Sequence, residues 1–192
     1  MEEKGHSMSS EVSQHYLEEV RRQFEGYKRL GEGALNQLKD EDFFVAIDKE
    51  SNSIAIIVKH VTGNMRSRFT DFLTTDGEKP DRHRDQEFEL TPKTTRADVM
   101  SWWDKNWPIV FSALDSLKPE DLMRTVTIRN EPHTVLQAIN RQLAHYALHI
   151  GQIVFLAKHL RSSEWKTLSI ARGKSGDFKA VTDKYEKGIL KK

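Results

Sequence analysis

Gln142-Leu-Ala-His145-Tyr-Ala-Leu-His149-Ile-Gly-Gln152-Ile-Val-Phe-Leu-Ala157 contains no Asp, Glu, Lys or Arg, although 31% of the chain is charged. A surface helix carries a charged face, so this stretch is expected to be a helix buried on nearly all sides. It nevertheless keeps two histidines at i, i+4, one turn apart on one stripe, where both imidazoles can reach a single ion. Gln142, His145, His149 and Gln152 fall within an arc of about 80°, while Leu, Ile, Val, Phe and Ala fill most of the rest. Uncharged polar groups confined to one stripe of a buried helix suggest an enclosed polar site. An i, i+4 His pair also arises by chance, or as core imidazoles bonded to neighbouring helices, so the pair needs a third partner.

Working outward, the same helix is expected from about Pro132 to Leu160, with Pro132 near its first turn. Before it, Arg124-Thr-Val-Thr-Ile128 is β-branched and alternating, and suggests a short strand or extended segment. Thr94-Thr95-Arg-Ala-Asp98 offers a capped start to a helix ending near Leu117, rich in Trp102, Trp103 and Trp107. Pro108 inside that run is expected to kink or divide it.

A second helix, from about Asn52 to Leu73, places Ile54, Val58, Val61, Met65, Phe69 and Phe72 on one apolar stripe. His60 lies off that stripe, sharing a face with Ser53, Asn64, Ser67 and Asp71. Small polar neighbours rather than long charged ones are what a pocket wall requires, and Gly63 keeps the backbone accessible nearby. A first helix is expected from about Ser10 to Leu38, with an interruption near Gly31 and Gly33. In the following connection, Phe43-Phe44-Val45 is expected to tuck against the bundle. Thr74 to Pro92 reads as a long loop punctuated by Gly77 and Pro80, able to lid a pocket. His83 within it is expected at the surface, His133 near the start of the last helix at the surface or as a cap, and neither His133 nor His159 is expected near the level of His145 and His149. After that helix, Trp165, Leu168 and Ile170 are expected to pack along the bundle.

Composition sets the boundaries. Length suits one domain with extensions: residues 1–9 as a disordered lead-in, 10–176 as the bundle, and 177–192 as a charged tail. The chain has no cysteine, which excludes disulfides, thiolate metal sites and a cysteine nucleophile, and leaves His, Asp and Glu as ligands. Lys+Arg 30 against Asp+Glu 29 gives a net charge of +1, with the two signs interspersed, so no nucleic-acid partner is expected. No apolar signal region or membrane-length run is present, and a cytoplasmic protein with no membrane partner is expected.

Four long helices with one long loop between the second and third define an all-α four-helix bundle. Bundles build metal sites from facing helices, so His60 can join His145 and His149. Three neutral imidazoles leave positions open for water or substrate. Gln142, Gln152, Asn64 and Asp71 are candidates to fix the rings' other nitrogens.

The stretch Ile57-Val-Lys-His60-Val-Thr-Gly-Asn64-Met, the paired histidines in Ala144-His145-Tyr-Ala-Leu-His149-Ile-Gly-Gln152-Ile, and Trp165-Lys-Thr-Leu-Ser-Ile170 resemble the DinB/YfiT-like superfamily, in an uncharacterised bacterial branch. The resemblance runs from about Ser10 to Gly176. It implies a divalent metal, zinc or nickel, on His60, His145 and His149, and a homodimer. It also implies use of a low-molecular-weight thiol, as in transferases and isomerases that activate such a thiol on the ion. Many relatives carry Asp three residues after the second-helix His, where this chain has Gly63, so the carboxylate that steadies that ring is expected to be missing. The expected function is a metal- and thiol-dependent S-transferase in detoxification or stress response, acting on a small molecule. Hydrolysis by metal-activated water, or a non-catalytic binding or dimerisation module, are the alternatives. No catalytic residue beyond the metal site is indicated.

Overall fold

The computed structural model describes residues 2–177 and is a mostly helical bundle. Helices α1 (Glu2–Leu35), α2 (Ile54–Phe69), α3 (Arg96–Asp115) and α4 (Val135–Arg161) form its body. α2 packs along α3, α1 packs along α4, and α2 also meets α4. Among the described residues no helix is long and apolar enough to cross a membrane. The charged stretch at the C-terminus, from residue 178 onward, lies outside the described residues.

Local chemistry starts and stops the helices where the sequence offers caps. Ser53 accepts from the Ile56 N–H to open α2, and Thr95 with Asp98 forms a reciprocal capping box on α3. The α2 stripe of Ile54, Val58, Val61, Met65 and Phe69 is buried as its spacing requires. α2 stops at Phe69, short of the expected Leu73: Thr70 is extended and Asp71 adopts a positive φ of 48°. Phe24, Phe69 and Trp107 surround the fully buried Tyr146 with tilted and edge-on aromatic contacts. These rings fix the axial position of α4 relative to its neighbours.

Several expectations change in the folded chain. α1 runs unbroken through Gly31, where a Cβ would collide with the buried Trp103 ring, its Cζ2 only 2.8 Å away. That glycine is a close-approach residue rather than a breaker. α3 continues through Pro108, with Trp103 and Trp107 buried in the turn before the proline and Val110 buried after it. Phe43 is fully buried, whereas Phe44 and Val45 remain partly exposed. Trp165 and Leu168 pack on the core, but Ile170 is exposed.

The segment before α4 is the largest local difference. β1 (Thr125–Ile128) pairs antiparallel with β2 (Glu131–Thr134), so α4 begins at Val135 rather than Pro132. Arg129 and Asn130 form the two-residue turn with positive φ at both positions. Asp76 accepts both of their backbone N–H groups at 2.8 Å. Thr134 and Gln137 then cap α4 reciprocally.

α4 is also less enclosed than its composition suggests. Leu148 is 60% exposed and Phe155 65% exposed, and Ala144 and Gly151 lie on the same open face. Burial on nearly all sides is therefore not realised within one chain: α1, α2 and the segments around β1 cover the opposite side only.

Candidate metal centre

Three imidazoles from two helices converge. His60 of α2 is 5% exposed, while His145 and His149 of α4 are half-buried. The His60 Nε2 lies 3.3 Å from the His145 Nε2, and the His149 Nε2 lies 3.0 Å from that same atom. Ligand nitrogens about 2.0–2.1 Å from an ion at tetrahedral angles stand about 3.3 Å apart. The three histidines are thus spaced to hold one metal ion.

The far side of two rings is fixed. The His60 Nδ1–H donates to Glu87 Oε2 at 2.8 Å, and the His149 Nδ1–H donates to Gln152 Oε1 at 2.8 Å. Both bonds put the lone pair on Nε2, facing the cluster centre. His145 Nε2 can donate a proton to at most one of its two neighbours, so nitrogen lone pairs remain opposed at close range. A cation between them resolves that conflict. Burial, reinforced by His149, His60 and nearby arginines, pushes His145 down to about 3. Its ring is therefore neutral near pH 7, the form that ligates. Burial lowers His149 as well, against the opposing hydrogen bond to Gln152.

Glu87 comes from the short 3-10 turn Arg84–Phe88 in the long loop. Burial by itself would raise its carboxyl, but hydrogen bonds from His60 and Arg82 and the Arg82 charge outweigh burial and hold it low. Arg82 clamps both carboxylate oxygens, with Nε to Oε1 at 2.8 Å and Nη2 to Oε2 at 2.9 Å. Phe88 lies over the His60 ring, centroid to centroid 4.8 Å.

This overturns the expectation that the supporting carboxylate is missing. A Cβ placed on Gly63 would stand 2.9 Å from the Glu87 Cδ and 2.5 Å from its Oε1. The glycine makes room for a carboxylate delivered from the loop to the His60 ring. Because Glu87 is buried and held by Arg82 and His60, it cannot simply swing aside.

Of the other expected supporting residues, only Gln152 meets a ring. Asn64 instead accepts from the buried Tyr146 hydroxyl at 3.1 Å. Gln142 is buried with its Oε1 unpartnered, and Asp71 sits beyond the end of α2. His83 and His159 are exposed, and His133 bonds the Glu131 carbonyl from the hairpin. Glu87 and Arg82 escaped sequence reasoning because they sit in an irregular mixed-charge segment. The one signal was Gly63, whose missing side chain implied space to be filled.

A family model described as "Protein of unknown function (DUF1572)" matches residues 11–174. No curated protein and no solved structure matches the chain.

Proposed function

The chain belongs to the DUF1572 family, and we propose that it is a DinB-like, divalent-metal-dependent enzyme that activates a low-molecular-weight thiol for transfer to an electrophilic small molecule. The observation that carries this reading is the convergence of three Nε2 atoms, two of them aligned by bonds on their far sides. The donor set is all imidazole, which suits zinc or nickel and leaves coordination positions free. When bound, such an ion supplies Lewis acidity that lowers the pKa of a thiol, or of water in a hydrolytic variant of the reading.

The chain's own residues supply the rest. Glu87, clamped by Arg82, orients His60 and offsets positive charge beside it. Gln152 orients His149. Phe88 covers one face of His60, and a cavity of about 340 Å³ lined by His60 and His145 gives access for a small molecule. The uncharged, exposed face of α4 at Ala144, Leu148, Gly151 and Phe155 supports a homodimer in which a second copy covers it. Detoxification or stress response is the setting this chemistry suits.

Elemental analysis of untagged protein purified without added metal tests the proposal, alongside the His60→Ala, His145→Ala and His149→Ala variants. About one divalent ion per chain in the wild type, lost in the variants, is expected. A wild type that carries no metal and takes up none from zinc, nickel or manganese would instead favour a non-catalytic binding or dimerisation module.

A further inference from the structure

The cavity beside the histidines has an unusual wall. Arg68 from α2, Arg82 and Arg84 from the long loop, Arg129 from the β1–β2 turn and Arg141 from α4 all line it, and no carboxylate does. Five guanidinium groups brought together from four parts of the fold repel one another unless anions stand among them.

The protein supplies too few. Glu78 accepts from Arg68 at 2.9 Å and Arg129 at 3.0 Å, and lies 3.4 Å from Arg82. Glu87 serves Arg82 while also holding His60. Two carboxylates are thus shared by three arginines. Arg84 lies over the Phe88 ring, 5.1 Å from its centroid, and among the described residues its one carboxylate partner is Asp85, fully exposed and 3.8 Å away, a contact worth little in water. The Arg141 guanidinium has no ion-pair or hydrogen-bond partner among the described residues. It stands one turn before His145 on α4, on the histidine side of that helix.

Unmet hydrogen-bonding capacity collects at the same place. Among the described residues, five buried side-chain atoms lack a partner; two are the core indole nitrogens of Trp103 and Trp107. The other three, Arg68 Nε, Gln142 Oε1 and His145 Nδ1, all belong to residues lining this cavity. Arg68 is itself only 5% exposed, so its unused N–H is held out of bulk water.

We propose that the cavity takes a small organic anion carrying two or more acidic groups, carboxylate or phosphate, held by the arginine wall with its remaining end toward His145. This rests on the thiol-transfer reading only in identifying that anion as the thiol co-substrate. The excess of guanidinium over carboxylate stands without it. Planar two-pronged donors suit both kinds of acidic group.

Calorimetric titration separates the two levels. Metal-loaded protein is titrated with mercaptosuccinate and with uncharged mercaptoethanol, and both wild-type and His145→Ala proteins are titrated with succinate. Mercaptosuccinate is expected to bind about tenfold or more tightly than mercaptoethanol, with the preference shrinking as salt rises. The exposed pair Arg84→Ala/Arg141→Ala should cut that preference to about threefold or less without changing metal content. Equal binding of the two thiols, or a preference untouched by the arginine changes, overturns the inference. Succinate decides it whether or not metal is present: arginine-dependent binding to His145→Ala protein supports the anion site even if the metal reading fails. Absence of succinate binding to both proteins overturns it. Displacement of bound succinate by equimolar phosphate supports a phosphorylated ligand, and resistance to displacement a carboxylated one.

Discussion

Helix α4 and the long loop between α2 and α3 serve one site in opposite ways. α4 contributes His145, His149 and Gln152 at spacings the helix itself dictates, so their mutual placement needs no other part of the protein. The loop contributes Arg82, Arg84 and Glu87 from an irregular stretch, and their placement depends on what the loop packs against. Glu87 reaches His60 because Gly63 leaves a gap in α2, and the loop is anchored on the other side by Lys59, whose Nζ donates to the Gln86 and Glu89 carbonyls at 2.7 Å. One half of the site is written in periodicity and the other half in fit.

The largest effect is expected when the carboxylate is moved from loop to helix. Gly63→Asp should destabilise the protein by about 1–3 kcal/mol, because its Cβ meets the clamped Glu87. It should also weaken metal binding. The double variant Gly63→Asp/Glu87→Ala should recover stability and much of the metal affinity, read by thermal melts and competition with a chelator. Recovery absent from the double variant would mean that the loop does more than deliver a carboxylate.

Glu87→Ala alone removes the partner of both His60 and Arg82. A loss of about tenfold to a hundredfold in metal affinity is expected. Gln152→Ala removes a more exposed bond from the helix half of the site, and a loss of about tenfold or less is expected. If Gln152→Ala proves the costlier change, the ranking of loop over helix support is wrong.

Acid should act on the helix half first. The His145 pKa is about 3 in the fold, against 6.5 for a free imidazole. Between those values the unfolded chain binds the proton and the native chain does not, so metal-free stability should fall as pH drops through that window. It should be insensitive to His145 above it. Metal binding competes with the same protons, so the melting temperature gained on metal loading should also shrink on acidification. A metal-free melting temperature flat from pH 7 to pH 4 would contradict the burial that keeps this ring neutral.

The smallest effect is expected at His83. It sits in the same loop as Glu87 but is exposed and outside the cluster, so His83→Ala should leave metal content unchanged. A large loss there would make the loop a source of ligands as well as support.

The α2 stripe from Ile54 to Phe69, the capping pair Thr95 and Asp98, and the charge-free run of α4 follow from side-chain period and local hydrogen bonding, and they establish an all-α bundle. His60, His145 and His149 were recoverable for the same reason. Each lies on a helical face flanked within one turn mainly by uncharged residues, such as Asn64 after His60 and Gln152 after His149, and facing helices bring such faces together.

Tertiary structure decided the rest, because those features arise from contacts between segments distant in sequence. Gly31 and Pro108 look like breakers but are absorbed by packing around Trp103 and Trp107. β2 exists because Asp76 secures the Arg129–Asn130 turn from another part of the chain. An absence of charge on α4 told of burial without telling what does the burying, and Leu148 and Phe155 are open in the single chain. Side-chain period alone placed His60, His145 and His149 on helical faces that can meet. Only the folded arrangement decided that Glu87 would support them and that five arginines would face them, since no local period links a loop residue to the helix face it meets.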